Sequence, residues 1–266
     1  MHYYRATIQY DGTDYSGFQW QKGARTVQAD INQALQEIST GKFSTAGASR
    51  TDAGVHAVEQ VLKFTTEHAL DAATACERLN RALPSQIRCL DLLPCQGDFN
   101  PILGTRSKEY RYLFTNDTRV ADEDRRFISN IANKLDLAPM AVCARMILGR
   151  HDFCNFVSTG SNVRTTIREV RVCELSEVDP HSLIPGSTLF RFPPTLGRCY
   201  QLKIEADGFL KQMIRHLVSA LWLVGSGRLT PEQFAVLLNG PKVGKQMWKV
   251  APPRGLYLYR IRYRDP

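Results

Sequence analysis

The sequence of 266 residues has no apolar stretch long enough to cross a membrane, and its first residues are not predicted to form a leader segment. Its longest apolar run, residues 217–224, is far shorter than the roughly 20 residues that cross a bilayer as a helix. Residues 1–5 do not place a basic segment before an apolar one, as a secretory signal does. We therefore expect a cytoplasmic protein without membrane contact.

Patterns that bind metals or form disulfides are missing too. The seven cysteines are scattered and include no C-x-x-C pair, and the six histidines include no H-x-x-x-H spacing. An odd number of scattered cysteines predicts reduced thiols, and no group of residues has the spacing of metal ligands. We expect no metal site.

Acidic residues are scarce in the last part of the chain. The formal net charge is +8, and residues 198–266 hold twelve Lys or Arg against four acids, whereas the rest of the chain balances. Such a surplus favours a polyanionic partner, because each phosphate that is neutralised releases counterions. A basic surface without a partner stays an open alternative.

Apolar periodicity predicts a mixture of strands and helices. Residues 4–10 alternate apolar and polar as a strand does, whereas Val27, Ile31, Leu35 and Ile38 recur at helical spacing. The same patterns predict strands at residues 60–65, 87–93, 109–115, 166–175, 199–206 and 256–264, and helices at residues 72–83, 138–148 and 209–224.

These elements indicate an α+β fold of two fused α/β halves that share a central, mainly antiparallel sheet flanked by helices. We place the first half at residues 1–116 and the second at residues 117–266, with a polar connection at residues 117–126. Residues 179–198, which carry four prolines, are predicted to form an irregular excursion between strands.

The loop predicted at residues 48–57 has the most unusual local sequence. Arg50 and Asp52 are close enough to pair, and an ion pair would keep the Asp52 carboxylate ionised and oriented. Gly54 permits the positive φ or close approach that a substrate-lining loop often needs. The residues alone favour a tight turn held by an Arg50–Asp52 salt bridge, because such ion pairs are commoner than nucleophilic aspartates.

The segment Arg50-Thr51-Asp52-Ala53-Gly54-Val55-His56-Ala57, followed by Gln60-Val61, resembles the signature of the tRNA pseudouridine synthase A family. No single short match would suffice, but further matches follow in order along nearly the whole chain. They are Tyr10-Asp11-Gly12, Tyr15 to Gln19, Val27-Gln28, Leu79-Asn80, Leu83-Pro84, Tyr110-Arg111-Tyr112, His151-Asp152-Phe153, Arg168, Met213-Ile214-Arg215 and Gly255 to Leu258.

The resemblance implies the pseudouridine synthase fold and the isomerisation of uridine to pseudouridine in the anticodon stem-loop of tRNA, by a homodimer. It implies that Asp52 is the nucleophile and that Arg50 belongs to the same catalytic loop. It also assigns Tyr110 to stacking on the base and Arg215 to the second half, as the partner of Asp52 in a shared cleft. The reaction needs no redox change or group donor, so no cofactor is expected.

Substrate binding is further assigned to His56, Gln60 and Leu256, beside Tyr110. Cationic side chains near these positions are candidates for contacts with the RNA backbone. They are Lys22, Arg25, Arg106, Lys108, Arg111, Arg164, Arg168 and Lys211. Each of them alone fits a solvated surface charge better than an RNA contact, whereas the set together could follow an RNA stem by shape and charge.

The chain departs from the family pattern at three places. Phe18 stands where many members have tryptophan, and Ser49 stands where they have glycine. Asn100-Pro101-Ile102 replaces the usual His-Ala-Arg after Phe99, which bears on the choice of RNA target more than on the chemistry.

Other interpretations stay open at this point. Tyr110 alternates with Tyr112 and Phe114 and therefore fits a core position, and Arg215 fits a solvated helix face. The alternative functions are the same chemistry on another RNA, RNA binding without catalysis, and hydrolysis with an aspartate nucleophile. Hydrolysis would need a group that activates water, and His56 is the only nearby candidate.

Overall fold

The computed structural model of the chain describes residues 1–117, 126–131, 134–160, 163–184, 186–192, 196–244 and 246–264. These residues form two compact units. The first unit consists of the described residues of Met1–Arg106, Gly186–Phe190 and Tyr257–Pro266, and the second of those of Ser107–Pro185 and Arg191–Leu256. Most of the predicted polar connection, residues 118–125, lies outside the described residues, as do Pro185, Pro193 and Pro194 of the predicted excursion.

The first unit is a sheet with two helices. Its strands are β1 (His2–Tyr10), β2 (Phe43–Gly47), β3 (His56–Thr66), β4 (Ile87–Pro94) and β10 (Leu256–Tyr263), of which Leu256 itself belongs to the second unit. Its helices are α1 (Val27–Ile38) and α2 (Ala72–Ala82). The strand order is β4-β1-β3-β10, and β2 also pairs with β3. All these pairs are antiparallel except β3 with β10, where Tyr257 lies opposite His56.

The second unit is built in the same way. Its strands are β5 (Thr105–Thr115, from Ser107 onward), β6 (Ser129–Asn130), β7 (Gly149–Asp152), β8 (Ile167–Val178) and β9 (Cys199–Ala206). Its helices are α3 (Leu137–Met146), α4 (Met213–Gly225) and α5 (Pro231–Asn239). The strands follow the order β5-β9-β8-β7 in antiparallel pairs, and β6 runs parallel to β5.

Local sequence explains where α1 and α5 begin. The Thr26 hydroxyl accepts the N–H of Ala29, and the apolar stripe from Val27 to Ile38 is buried. Before α5, Thr230 and Gln233 form a reciprocal capping box around Pro231. None of the described helices is both long and apolar enough to span a membrane.

The expected α+β fold with mainly antiparallel strands is confirmed, and α1 and β9 have their predicted bounds. Among the described α-helices and strands, four have no counterpart in the sequence patterns: β2, β6, β7 and α5. The three strands have at most five residues and owe their conformation to pairing with a neighbour. The predicted helix at residues 209–224 begins late, at Met213, because Gln212 has a left-handed backbone with φ of 60°.

The compact units divide the chain before the boundary predicted between residues 116 and 117, and the first unit also includes Gly186–Phe190 and the last strand. Long-range hydrogen bonds explain the extra segments. Ser187 donates its hydroxyl to the Gln9 side chain at 2.9 Å, and β10 pairs with β3. Neither contact has a signature in local sequence, and the two predicted domains stay a prediction.

Gly12 is a position at which the first unit tolerates no side chain. A Cβ atom there would lie 2.0 Å from the carbonyl oxygen of Val55. We predict that Gly12→Ala lowers the free energy of unfolding by about 1–3 kcal/mol, because main chain must move to admit the methyl group. Urea unfolding measures the change.

Gly244→Ala is the matched control, since a Cβ there meets no atom within 4 Å. Equal stabilities of the two variants would contradict the close packing of Gly12 on Val55.

Candidate active site

Asp52 lies in the loop between β2 and β3, and main-chain hydrogen bonds hold this loop against the segment that precedes α1. The Phe18 N–H donates to the Thr51 carbonyl at 3.2 Å, and the Gly54 N–H donates to the Tyr15 carbonyl at 3.2 Å. The backbone is therefore anchored on both sides of Asp52. A loop fixed in this way holds the Asp52 backbone in one place.

Two glycines allow the segments to approach this closely. Gly17 has φ of +101°, and a Cβ there would lie 2.8 Å from the Thr51 carbonyl oxygen. A Cβ on Gly12 would likewise lie 2.0 Å from the Val55 carbonyl oxygen. Both glycines belong to the family-like strings near the start of the chain, but their packing against the Asp52 loop could not be read from those strings.

Two buried side chains complete the anchoring of the loop. The hydroxyl groups of Tyr10 and Thr51 are 2.7 Å apart. The Gln60 carboxamide accepts the Ser49 N–H at 3.2 Å and donates to the Ser49 carbonyl at 2.7 Å. Gln60 is fully buried, and both of its hydrogen bonds to Ser49 help to hold the loop.

Arg50 and Asp52 differ in exposure, and the predicted ion pair between them does not form. Asp52 is half-buried, whereas Arg50 is exposed and makes no hydrogen bond or ion pair with any described residue. The reason is local: Thr51, between them, is bound through its hydroxyl and its carbonyl, and this fixed backbone leaves the Arg50 side chain in solvent.

His56 is buried at the start of β3 and serves the interior of the first unit. Its Nδ1 lies 3.1 Å from the Gly12 nitrogen and 3.2 Å from a carboxylate oxygen of Asp11. Nδ1 cannot both accept a hydrogen bond from Gly12 and donate one to Asp11. Because the main-chain N–H of Gly12 can only donate, we assign Nδ1 as the acceptor of that N–H. The ring also stacks on Tyr257, with centroids 4.8 Å apart. A side chain buried in this way does not favour water activation by His56.

In the second unit, Tyr110 lies on β5 with 6% of its surface exposed. Its ring meets Phe209 edge-on, with centroids 5.1 Å apart. This burial is what the core interpretation predicts, and the contact places Tyr110 beside the chain that leads into α4. Stacking of Tyr110 on a base stays a prediction, as does substrate contact by the buried Leu256.

Arg215 lies on α4 and is only 8% exposed, so the interpretation as a solvated helix face is wrong. Its Nε donates to the Ala251 carbonyl at 2.7 Å, and the Ala251 N–H donates to the Arg215 carbonyl at 3.3 Å. One turn later, the Ser219 hydroxyl donates to the Lys249 carbonyl at 2.8 Å. The segment before β10 thus covers α4 and orients the Arg215 guanidinium.

Several of the predicted RNA-binding cations already have protein partners. Arg25 lies 4.5 Å above the Tyr15 ring and 3.4 Å from the Asp30 carboxylate. Arg111 donates to Glu109 at 2.9 Å. Two more of these cations bind main-chain carbonyls. Arg168 donates to the carbonyls of Thr165 and Ile167 at 3.0 and 2.6 Å, and Lys211 donates to the carbonyl of Thr159 at 3.2 Å.

The other four cations differ in exposure. Lys22, Arg106 and Arg164 are exposed, and neither Lys22 nor Arg164 has a hydrogen-bond or ion-pair partner among the described residues. Lys108 is half-buried, and burial lowers its pKa to about 8. Lys22 and Arg164 are therefore the cations that could meet phosphate without losing a protein contact.

The departure from the family pattern at Asn100 has a structural role. The Asn100 side chain accepts the N–H groups of Ile102 and Leu103, both at 2.9 Å. The Pro101 carbonyl accepts the Tyr263 hydroxyl at 3.0 Å. These residues form a tight turn before β5, where the family's usual histidine and arginine would be.

The chain is similar to known proteins along most of its length. A sequence model of the tRNA pseudouridine synthase family matches residues 6–100 and 143–264, which include the Asp52 loop, Arg215 and β10. The chain belongs to the tRNA pseudouridine synthase family. The resemblance inferred from the ordered motifs is thereby confirmed.

Individual relatives cover the chain almost completely. The tRNA pseudouridine synthase A of Acetivibrio thermocellus is 33% identical over 256 residues, 96% of this chain and 97% of the relative. Proteins of the same name from Listeria innocua and Syntrophomonas wolfei are also 33% identical, over 98% and 97% of this chain and 98% and 96% of their own lengths.

The contact of Gln60 with Ser49 can be tested by removing its hydrogen bonds and keeping its bulk. We predict that Gln60→Leu lowers the free energy of unfolding by about 2–4 kcal/mol, because a buried N–H and a buried carbonyl of Ser49 lose their partners. Chemical denaturation measures this loss.

The exposed α1 position Gln36, changed to Leu, is the control for the added apolar surface. A Gln60→Leu protein as stable as Gln36→Leu would show that the carboxamide does not hold the loop.

Proposed function

We propose that this protein isomerises uridine to pseudouridine in tRNA, with the Asp52 carboxylate as the nucleophile. The observation that carries the proposal is the half-buried Asp52 on a loop whose backbone is anchored on both sides, within a chain of this family. A nucleophile that must meet a reacting carbon gains from such a fixed position, because reorganisation is avoided during the reaction.

The reaction breaks the bond between ribose C1′ and uracil N1 and makes a bond between C1′ and C5. The C5 proton is lost and N1 gains a proton, so the product is an isomer and the chemistry has no need of a cofactor. The uracil must turn between the two steps without leaving. This turn requires a site that excludes water and holds the detached base.

The side chains near Asp52 have separate tasks in this proposal. Gln60 and Tyr10 position the loop, and Arg50, which is exposed, is available to RNA phosphate or base. The family resemblance assigns Tyr110 and Arg215 to the same reaction, Tyr110 by stacking on the base and Arg215 by interaction with the Asp52 carboxylate. A uridine in a stem must leave its stack first, and aromatic stacking offsets part of that cost.

The RNA target in this proposal is the anticodon stem-loop of tRNA, bound by a cytoplasmic homodimer. The relatives' names support tRNA as the substrate. Target choice within tRNA rests on the resemblance, and the Asn100 turn is the place where this chain could differ from its relatives.

The nucleophile assignment is tested by Asp52→Asn, which keeps the size of the side chain and removes its charge. We expect no pseudouridine in unmodified tRNA treated with this variant, while wild-type protein converts uridine. Mapping of pseudouridine in the treated tRNA measures activity, and thermal unfolding of both proteins checks that the variant is folded.

Asp98→Asn is the matched control, since Asp98 is exposed and outside the site. Wild-type activity in Asp52→Asn would refute the nucleophile. RNA binding without conversion by the wild-type protein would favour a binding module instead, and release of free uracil would favour the hydrolase.

Lys22 and Arg164 provide a test of the RNA contacts. We predict that Lys22→Ala and Arg164→Ala each weaken tRNA binding and reduce the slope of log K against log salt by about 1, because one phosphate contact is lost. Binding titrations across a salt series measure the slope. Lys42→Ala, at an exposed position away from the set, is the control, and an unchanged slope in both test variants would remove them from the interface.

A further inference from the structure

Four side chains of the second unit form a continuous hydrogen-bonded chain that ends at Gln212. The Trp248 indole N–H donates to Nδ1 of His216 at 3.1 Å. Nε2 of His216 lies 2.9 Å from the Ser158 hydroxyl, and that hydroxyl in turn donates to the side-chain oxygen of Gln212. We refer to Trp248, His216, Ser158 and Gln212 as the relay.

The direction of every bond in the relay follows from its first member. An indole nitrogen can only donate, so Nδ1 of His216 accepts and carries no proton. Burial, together with the charge of Arg215, lowers the pKa of His216 to about 4, so the ring is neutral with its proton on Nε2. Nε2 then donates to Ser158, whose single proton goes to Gln212. A histidine that donates to Ser158 cannot activate it as a nucleophile.

This direction fixes the orientation of the Gln212 carboxamide. Its oxygen is bound by Ser158, so its NH₂ group is directed away from the relay. Among the described residues, none accepts a hydrogen bond from that NH₂ group. Gln212 is half-buried, so its two N–H donors are held in place and remain accessible.

The backbone conformation of Gln212 is energetically unfavourable, and the start of α4 at Met213 does not by itself require it. Its φ of 60° and ψ of 13° are left-handed, and it is the one non-glycine residue with positive φ among the described residues. Such a conformation costs on the order of 1 kcal/mol or more and persists where surrounding contacts enforce it. Gln212 occupies the N-cap position of α4, but its side chain makes no capping hydrogen bond.

The position of Gln212 connects the relay with the residues of the proposed reaction. Phe209, three residues earlier, contacts Tyr110, and Arg215, three residues later, is held by Ala251. The Gln212 carbonyl accepts the His216 N–H at 3.0 Å, and the Lys211 carbonyl accepts the Ser158 N–H at 3.2 Å. The relay therefore holds the turn between Phe209 and Arg215 from both main chain and side chain.

We propose that Gln212 donates a carboxamide N–H to a carbonyl oxygen of the target uracil, and that the relay positions it to do so. The inference rests on the proposed function. When the bond to ribose breaks, negative charge develops on the uracil carbonyl oxygens, and a donor fixed beforehand stabilises that charge without reorganisation. A neutral amide suits a base that must turn within the site, since it binds less strongly than a cation would.

Two substitutions of Gln212 separate donation from folding. Gln212→Glu keeps an oxygen for Ser158 and removes both N–H donors, whereas Gln212→Gly removes the side chain and accepts the left-handed backbone. We expect both variants to fold and to bind tRNA, and to lose about tenfold to a hundredfold in single-turnover rate at saturating protein.

Wild-type rates in both variants would overturn the inference and leave the proposed function intact. A loss confined to tRNA affinity would also overturn it, because donation to the uracil acts on the rate. Absence of pseudouridine with wild-type protein in the same assay would instead refute the proposed function.

Trp248 tests the positioning part of the inference. Trp248→Phe keeps a ring for the stack on Phe156, with centroids 5.8 Å apart in the wild type, and removes the donor to His216. We expect a lower single-turnover rate with unchanged tRNA affinity, and a changed tautomer of His216 in the nitrogen NMR spectrum. Trp222→Phe is the control, since the Trp222 N–H is buried without a hydrogen-bond partner among the described residues.

An unchanged His216 tautomer and an unchanged rate in Trp248→Phe would overturn the relay. Equal rate losses in Trp248→Phe and Trp222→Phe would overturn it too, because they would show a general effect of removing indole bulk.

Discussion

The close contact of two backbones is the constraint on which the proposed active site depends. Residues 12–17 lie so near the Asp52 loop that Gly12 and Gly17 admit no Cβ without moving main chain. The same contact allows the Phe18 and Gly54 N–H groups to bind across it, and it brings the Tyr10 and Thr51 hydroxyls together. Each of these bonds removes freedom from the loop, and the result is a backbone at Asp52 whose position is set by the interior of the first unit. Asp52 itself remains half-buried and accessible.

The second unit fixes its own functional candidates in a different way. The segment before β10 crosses α4 and binds it through Trp248, Lys249 and Ala251, so that a helix buried on nearly all sides can hold the charged Arg215. A buried guanidinium needs such partners, because its desolvation is costly without them. The strained backbone of Gln212 and the neutral His216 belong to the same arrangement.

Sequence reasoning succeeded where structure depends on neighbours in the chain. The stripe from Val27 to Ile38 and the alternation in β9 predicted their elements with correct bounds, and the ordered motifs predicted the family. Sequence reasoning failed where contacts between segments distant along the chain determine the structure. No local pattern shows that Ala251 binds Arg215, that the Gln60 carboxamide binds Ser49, or that Arg50 and Asp52 do not pair. For α5 the signal was present, since Thr230, Pro231 and Gln233 form a capping box that went unused.

The central claim is that the loop fixes the position of the Asp52 carboxylate, and Asp52→Glu tests it most directly. The variant keeps the charge and displaces it by about 1.5 Å, one carbon–carbon bond. We predict that its single-turnover rate on tRNA falls about a hundredfold or more, because the anchored backbone cannot retreat to compensate. Activity of Asp52→Glu equal to that of the wild type would contradict the claim, since it would show that the loop adjusts to the carboxylate.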